Sequence, residues 1–428
     1  MAPSRLTLAA LISAATAAPT LAQSLTILSF GVRPVSIRAI SGDGSIIAGE
    51  VLLPTTSGDS VTATWWSRSG AVLGQAPTSI GQSFPTALTF DGSTLLFNSG
   101  APALPRLLST STGTIASIPG ANPATQTFAN DISANGARSA MYFDPTGFGP
   151  SVGLSCDNAQ GHTAPTSFIL PNTSNATRMS ADGNTIIGQL SDFTGFRYTP
   201  GAGVRSLCSV AFGTACPSAT PQDPGTLIPQ GISANGNTIV GGTYNSTFQT
   251  ASAFRLDDAD GFELIVDCST NTQGSATAVD ASADGSVIVG YDTCSLFNPW
   301  VWTRATGPRS LTQILNDAGI STTNYFFDSL VAISDDGRYI TGNVNIQFVG
   351  SRGFIVDLGP ALPSCDSIDF NSDSLFPDDQ DLVDLLSVLA GGACSTNTCN
   401  DIDFNNDTLF PDDSDLIAFL RVLAGGEC

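Results

Sequence analysis

The chain has 428 residues, enough for one large domain and a small one, and 42% of it is hydrophobic, ample for a buried core. Its 37 acids against 15 bases give a formal net charge of −22. That balance excludes nucleic acid and anionic membrane as partners and favours cations. Every base is Arg, and apart from Glu50, Glu263 and Glu427 every acid is Asp.

The first element is a secretory signal over residues 1–22. Arg5 supplies the positive start, Leu6 to Ala18 the apolar run, and Thr20-Leu21-Ala22 a small-residue cleavage site. Cleavage after Ala18 satisfies the pattern nearly as well. The mature protein is therefore expected outside the cell or on its surface. No later stretch stays apolar for ~18 residues, so no transmembrane helix is expected.

Residues 23–358 repeat a turn. Asp-Gly or Asn-Gly recurs at Gly44, Gly92, Gly136, Gly183, Gly236, Gly285 and Gly337, most often as Ser-Ala-Asp/Asn-Gly. These dipeptides supply the positive φ that a tight hairpin needs. A short run such as Ser36–Ile40 precedes each turn, and a β-branched run such as Thr185-Ile186-Ile187-Gly188 follows it. A third run carries aromatics, as in Trp300-Val301-Trp302, and a fourth is shorter, as in Val204–Leu207 and Glu263–Val266. Four strands per unit of ~40–50 residues define a propeller blade, so the expected fold is an all-β, seven-bladed β-propeller. The seventh unit ends after its third strand, Phe354–Leu358. Its missing fourth strand is expected from Ser24–Phe30 at the other end, a pairing that leaves no free sheet edge there.

A linker, residues 359–364, leads into a tandem repeat over 365–428, the two copies offset by 34 residues. Asp369, Asn371 and Asp373 return as Asp403, Asn405 and Asp407. Oxygen side chains at alternate loop positions can all turn inward, as at the start of an EF-hand calcium loop. Leu375 and Leu409 stand at the seventh position, where a backbone carbonyl serves. The loop departs from the common pattern twice. Its sixth position is Ser374 or Thr408 in place of Gly, and its twelfth is Gln380 or Ser414 in place of an acid. The closing ligand therefore falls to Asp379 or Asp381 in the first copy and Asp413 or Asp415 in the second. Hard oxygen donors select calcium as the cofactor. Fourteen acids against Arg421 alone over 361–428 would repel one another without a cation. A small α-helical calcium-binding domain follows, each loop leading into a helix whose apolar face is Leu382, Leu385, Leu386 and Leu389, or Leu416, Phe419, Leu420 and Leu423.

Nine cysteines fit an exported protein. Cys365–Cys394 and Cys399–Cys428 are equally spaced, which suggests one bridge per unit or matched bridges between units. Cys208 with Cys216 would close a short loop, Cys268 with Cys294 would join neighbouring strands, and Cys156 is left over. Catalysis has little support. The single His, His162, lies in a loop-like stretch, no Ser sits in a Gly-x-Ser-x-Gly context, and 34 Asp single out no acid pair. No catalytic residue is assigned. Trp65, Trp66, Trp300 and Trp302 on third strands are expected to pack between blades.

The repeated Ile-Ser-Ala-Asp-Gly-x-x-Ile-Val-Gly, followed by Ala-Phe-x-Leu or Trp-Val-Trp-Thr, resembles the HAF-type extracellular repeat of secreted bacterial proteins over roughly residues 36–358. The tail resembles dockerin-type repeats, in particular the variety on planctomycete exported proteins whose units end in Gly-Gly-x-Cys. That resemblance implies calcium-dependent folding and docking to a cohesin-like or cell-envelope protein. The expected function is a secreted, non-catalytic binding or scaffold propeller anchored through its tail. The alternative is a polysaccharide-active propeller enzyme, a glycoside hydrolase or lyase, since dockerin-like modules travel with carbohydrate-active domains. A polysaccharide is accordingly the second partner class. Two Asp carboxylates facing one another in the central channel would favour hydrolysis, and a neutral polar lining would favour binding.

Overall fold

The computed structural model describes residues 24–359 except 56–57, 101–103, 120–126, 144–150, 162–166, 215–225, 245–250, 269–273 and 295–297. In the tail it describes 368–371, 379–396 and residues 399, 402, 404, 416, 417, 419, 420 and 423. His162, Cys216, Cys365 and Cys428 lie outside the described residues. Contacts divide the chain into two compact units, Met1–Gly359 and Pro360–Cys428.

The first unit is seven four-stranded antiparallel sheets. The inner strands of blades 1 to 7 are Val35–Ile40, Ser83–Leu88, Phe128–Ile132, Thr173–Met179, Thr226–Ile232, Ala276–Ala281 and Tyr325–Ile333. Blade 7 takes its outer strand from the start of the chain. Ser24–Leu28 pairs antiparallel with Gly350–Asp357, Ser24 opposite Asp357 and Leu28 opposite Gly353. The ring is thus closed by both ends of the propeller, as the spare N-terminal run predicts. The second strand of blade 3 spans Arg138–Phe143.

The recurring turn works because each of its positions satisfies a backbone group. In every blade a hydroxyl (Ser41, Thr89, Ser133, Ser180, Ser233, Ser282, Ser334) donates to the Asp or Asn two residues on, at 2.5–3.0 Å. The same hydroxyl accepts the N–H five residues on, at 2.9–3.0 Å. The Asp or Asn accepts the N–H two residues beyond itself, also at 2.9–3.0 Å. Burial opposes ionisation of Asp43, Asp182 and Asp284, but these hydrogen bonds outweigh it and hold all three below the usual carboxylate range. The glycine is required twice over. Gly285 has φ +75°, and a Cβ there would run into Thr238 of the preceding blade.

A backbone belt then joins the seven turns. Asp43 donates to the Phe90 carbonyl, Phe90 to Ala134, Ala134 to Ala181 and Ala181 to Ala234. Asn235 donates to Ala283, Ala283 to Asp335, and Asp335 returns to Gly42, all at 2.8–3.1 Å. Hydrophobic cores lie between sheet faces. Ala48, Trp65, Leu95 and Phe97 fill the gap between blades 1 and 2, and Val289, Leu330, Ile340 and Phe354 that between blades 6 and 7. Each tryptophan is at most 7% exposed, so all four belong to these cores.

Two short helices were not expected from the sequence. Leu207–Phe212 (α1) follows the outer strand of blade 4, started by Ser206 capping Ser209 N–H and stopped by left-handed Gly213. Leu311–Asp317 (α2) follows the outer strand of blade 6 and buries Leu311, Ile314 and Leu315 against the blade 6–7 core. Among the described residues no helix is long and apolar enough to cross a membrane.

Two bridges have both partners described. Cys268–Cys294 joins blades 5 and 6 as expected. Cys394 bridges Cys399, five residues away, and so links the two tail units; closure of the first unit by Cys365–Cys394 is thereby ruled out. Loop proximity decides this, because both cysteines flank one short connection. Cys208 is also disulfide-bonded, and Cys156 is a buried free thiol.

In the tail, Asp379–Leu389 forms the helix α3. Ile368, Phe370 and Leu385 of the first repeat pack with Phe404 and Phe419 of the second, so both repeats share one core. Leu386, expected in the apolar face, is instead exposed, and Val388 packs in its place.

Candidate functional site

The inner strand of every blade carries a β-bulge at the same place, around Arg38, Thr86, Asn130, Thr177, Gln230, Val279 and Val331. The extra residue bends the strand and re-aims the side chains beyond it. The residue just after the bulge is small in blades 1, 2, 5 and 7 (Ala39, Ala87, Gly231, Ala332). In the other three it is charged: Asp131, Arg178 and Asp280. All three line the central channel.

Each of the two acids ties its blade to the next. Asp131 accepts Ile132 N–H at 2.9 Å and Met179 N–H of blade 4 at 2.8 Å. Asp280 accepts Ala281 N–H and Ile333 N–H of blade 7, both at 3.0 Å. Burial raises both carboxyls above their ordinary value, against the lowering pull of Arg178. Asp280 is pushed up to about 7, the charge of Asp131 adding to the effect. At the belt, burial and the charges of Asp336 and Asp43 also raise Asp335. The channel holds cavities of about 120 and about 110 Å³, each lined in part by Asp131 and Asp280 and each below the ~300 Å³ at which small-molecule pockets begin. Two acids in the channel are what a hydrolase would need, but both carboxylates are already engaged as acceptors between blades.

Of the calcium-loop residues expected in the tail, Asp369, Asn371 and Asp381 are described with their side chains, and Asp379 only as the first residue of α3. Asp373, Leu375, Asp403, Asn405, Asp407, Leu409, Asp413 and Asp415 lie outside the described residues. The structure does bring the third and thirteenth loop positions together. Asp381 is fully buried and accepts Asn371 N–H at 3.3 Å. The contact runs through the Asn371 backbone, and among the described residues no three acidic, His or Cys side chains converge.

The sequence reading missed Asp384. It accepts from Asn371 Nδ2 at 3.1 Å, Gln380 Nε2 at 3.1 Å, Ser395 N–H at 3.0 Å and the Ser395 hydroxyl at 2.6 Å. Burial works to raise its pKa, but these donors outweigh it and hold the carboxyl low. Two further features recur at the offset of 34 residues. Val383 and Leu386 are 55% and 43% exposed; Ile417 and Leu420, their counterparts, are 54% and 43% exposed. Each repeat presents an apolar pair at i, i+3 outside the shared core.

These features define a closed seven-bladed β-propeller followed by a small acidic helical unit. No protein-family profile matches the sequence, and no curated protein is significantly similar to it. Solved structures do resemble it. The β-propeller domain of the Trilobed protease from Pyrococcus furiosus, described as having an open velcro topology, aligns with a TM-score of 0.53 and 10% identity over 82% of this chain and 100% of that one. Pyrococcus horikoshii acylaminoacyl peptidase aligns with a TM-score of 0.51 and 9% identity over 76% of this chain and 51% of that one. TolB from Acinetobacter baumannii aligns at 15% identity with a TM-score of 0.41, over 75% of this chain and 65% of that one. The chain thus spans less than two thirds of the last two proteins. At these identities the likeness to the two Pyrococcus structures shows the fold alone.

Proposed function

We propose that the protein is an exported, non-catalytic binding propeller, held to an extracellular partner or the cell surface by its dockerin-like tail in a calcium-dependent way. The observation that carries this reading is the duplicated exposed pair, Val383/Leu386 and Ile417/Leu420. Apolar side chains left out of a core on two matched helical turns suit a cohesin-like protein partner. Calcium would neutralise the loop carboxylates, with Asp369, Asn371, Asp373 and Asp381 and their second-repeat counterparts as its ligands. In so small a unit, metal binding contributes directly to folding. The propeller has the HAF-like repeat character described above and displays its rim loops to a ligand. The two channel acids favour the hydrolase alternative in kind. Their use as blade-to-blade acceptors supports binding instead.

Circular dichroism with and without a chelator tests the anchor. Chelation should remove the helical signal of 365–428 and leave the β signal, and Asp369→Ala with Asp403→Ala should abolish that response. Leu386→Asp with Leu420→Asp should keep the calcium response yet lose retention on cell-envelope fractions. A helical signal indifferent to chelation refutes the calcium assignment.

A further inference from the structure

Strand direction alternates within a blade, so the Ser-x-Asp/Asn-Gly turns all lie on one face and the hairpins between second and third strands on the other. On that second face a cleft of about 330 Å³ opens between blades 5 and 6, within the range of small-molecule pockets. One wall comes from blade 5, with Gln230 at the bulge and Tyr244 at the end of Thr238–Tyr244. The other comes from blade 6, with Thr277 on its inner strand and Tyr291 on Val287–Asp292. The two walls approach closely at Gly242, where a Cβ would lie 2.9 Å from the Thr277 hydroxyl. Cys268–Cys294 ties these same two blades, Cα to Cα 5.7 Å, so their spacing is fixed before any ligand arrives.

The chemistry of the walls is selective. Tyr244 and Tyr291 are 47% and 38% exposed, whereas all four tryptophans are buried. In a chain of net charge −22, no described residue of the lining is charged. An ionic ligand would find no counter-charge there. A purely apolar ligand would cover the Gln230 amide and the Thr277 hydroxyl without pairing them, which is costly. A ligand with an apolar face and a rim of uncharged hydroxyls meets both demands. We infer that the cleft is a subsite for a neutral sugar residue, its C–H face laid on a tyrosine ring and its hydroxyls bonded by Gln230 and Thr277. This rests on the reading of the propeller as a binding module and names its ligand class.

The test uses the full chain. Calorimetry and saturation-transfer NMR would be run against glucose, galactose, mannose, N-acetylglucosamine, cellobiose and galacturonate. At least one neutral sugar should bind, at least tenfold more weakly in Tyr244→Ala and Tyr291→Ala and severalfold more weakly in Gln230→Ala. Tyr244→Phe should retain most of the affinity, and galacturonate should not bind. Unchanged melting of the variants by tryptophan fluorescence confirms that the propeller is intact. Failure of every neutral sugar, binding indifferent to all three alanine variants, or preference for galacturonate overturns the assignment while leaving a binding propeller standing. Release of cleaved sugar from cellobiose would instead sink the non-catalytic reading.

Discussion

Asp280 makes the propeller's stability depend on pH, and Asp280→Asn should remove that dependence. Burial above all, with the charge of Asp131 adding, raises this carboxyl to about 7 from an ordinary value of 3.8, although Arg178 pulls the other way. Arg178 and Asp131 are the charged groups that act on it. A gap of about three units corresponds to about 4 kcal/mol. Between about pH 4 and pH 7 the folded protein keeps the proton and the unfolded chain gives it up. The folded state therefore binds more protons, and this group's contribution falls as pH rises, then levels off above about 7. Asn cannot ionise, and it keeps one acceptor for the two N–H groups of Ala281 and Ile333. Losing the other hydrogen bond costs about 1–3 kcal/mol at every pH. The variant should therefore be the less stable protein at pH 4, and should close or reverse the gap by pH 8. Urea unfolding followed by tryptophan fluorescence isolates the propeller, because Trp65, Trp66, Trp300 and Trp302 are the only tryptophans in the chain. A wild-type-minus-variant difference that stays constant from pH 4 to pH 8 would refute the argument.

Two other substitutions probe the fold by the same assay. Ser282→Ala should lower stability by about 1–3 kcal/mol, since Val287 N–H and Asp284 both lose a buried partner; no shift in urea midpoint would show that the turn does not depend on its hydroxyl. Leu28→Ala should cost about 2–5 kcal/mol, because this fully buried side chain of the closing strand packs with Val35, Ile37 and Trp66 of blade 1; a negligible loss would mean that the ring does not need its N-terminal strand.

The blades were legible because the turn motif is overdetermined. Hydroxyl, carboxylate or amide, and glycine each satisfy a backbone demand that few other residues meet, so the motif survives while the sequence around it varies. Blade closure was legible from a deficit, a third strand with no fourth and a spare run at the other end. The bulges were not. Arg38, Thr86, Asn130, Gln230 and Val331 all occupy that site, since a bulge constrains backbone conformation and not side-chain type. Without the bulge, nothing separates Asp131 and Asp280 from the other Asp residues. Aligning the seven turns would have exposed them, as charges two residues before Ser133 and Ser282 where Ala or Gly stands in four other blades. The cysteine spacing left bridges within units and between units open for a related reason. Equal intervals describe how the units were duplicated, and bridge formation depends on which sulfurs meet.

The tail carries the same lesson further. Its repeated residues, Ile368 with Ile402 and Phe370 with Phe404, build the core that both units share. Asp384 has no acidic counterpart, for the matching position in the second unit is Ala418. It is nonetheless the acceptor that holds Asn371, Gln380 and Ser395 around the connection between the units. A repeat needs such a residue once, where one copy hands over to the next, so the pattern cannot announce it. In the propeller the departures from the repeat are likewise the residues that folding does not require of every blade. Asp131, Arg178 and Asp280 sit in the channel, and Tyr244 and Tyr291 stand exposed at one inter-blade cleft. In a molecule built from copies, what the copies share accounts for the fold, and specific recognition has to come from the positions where one copy differs from the rest.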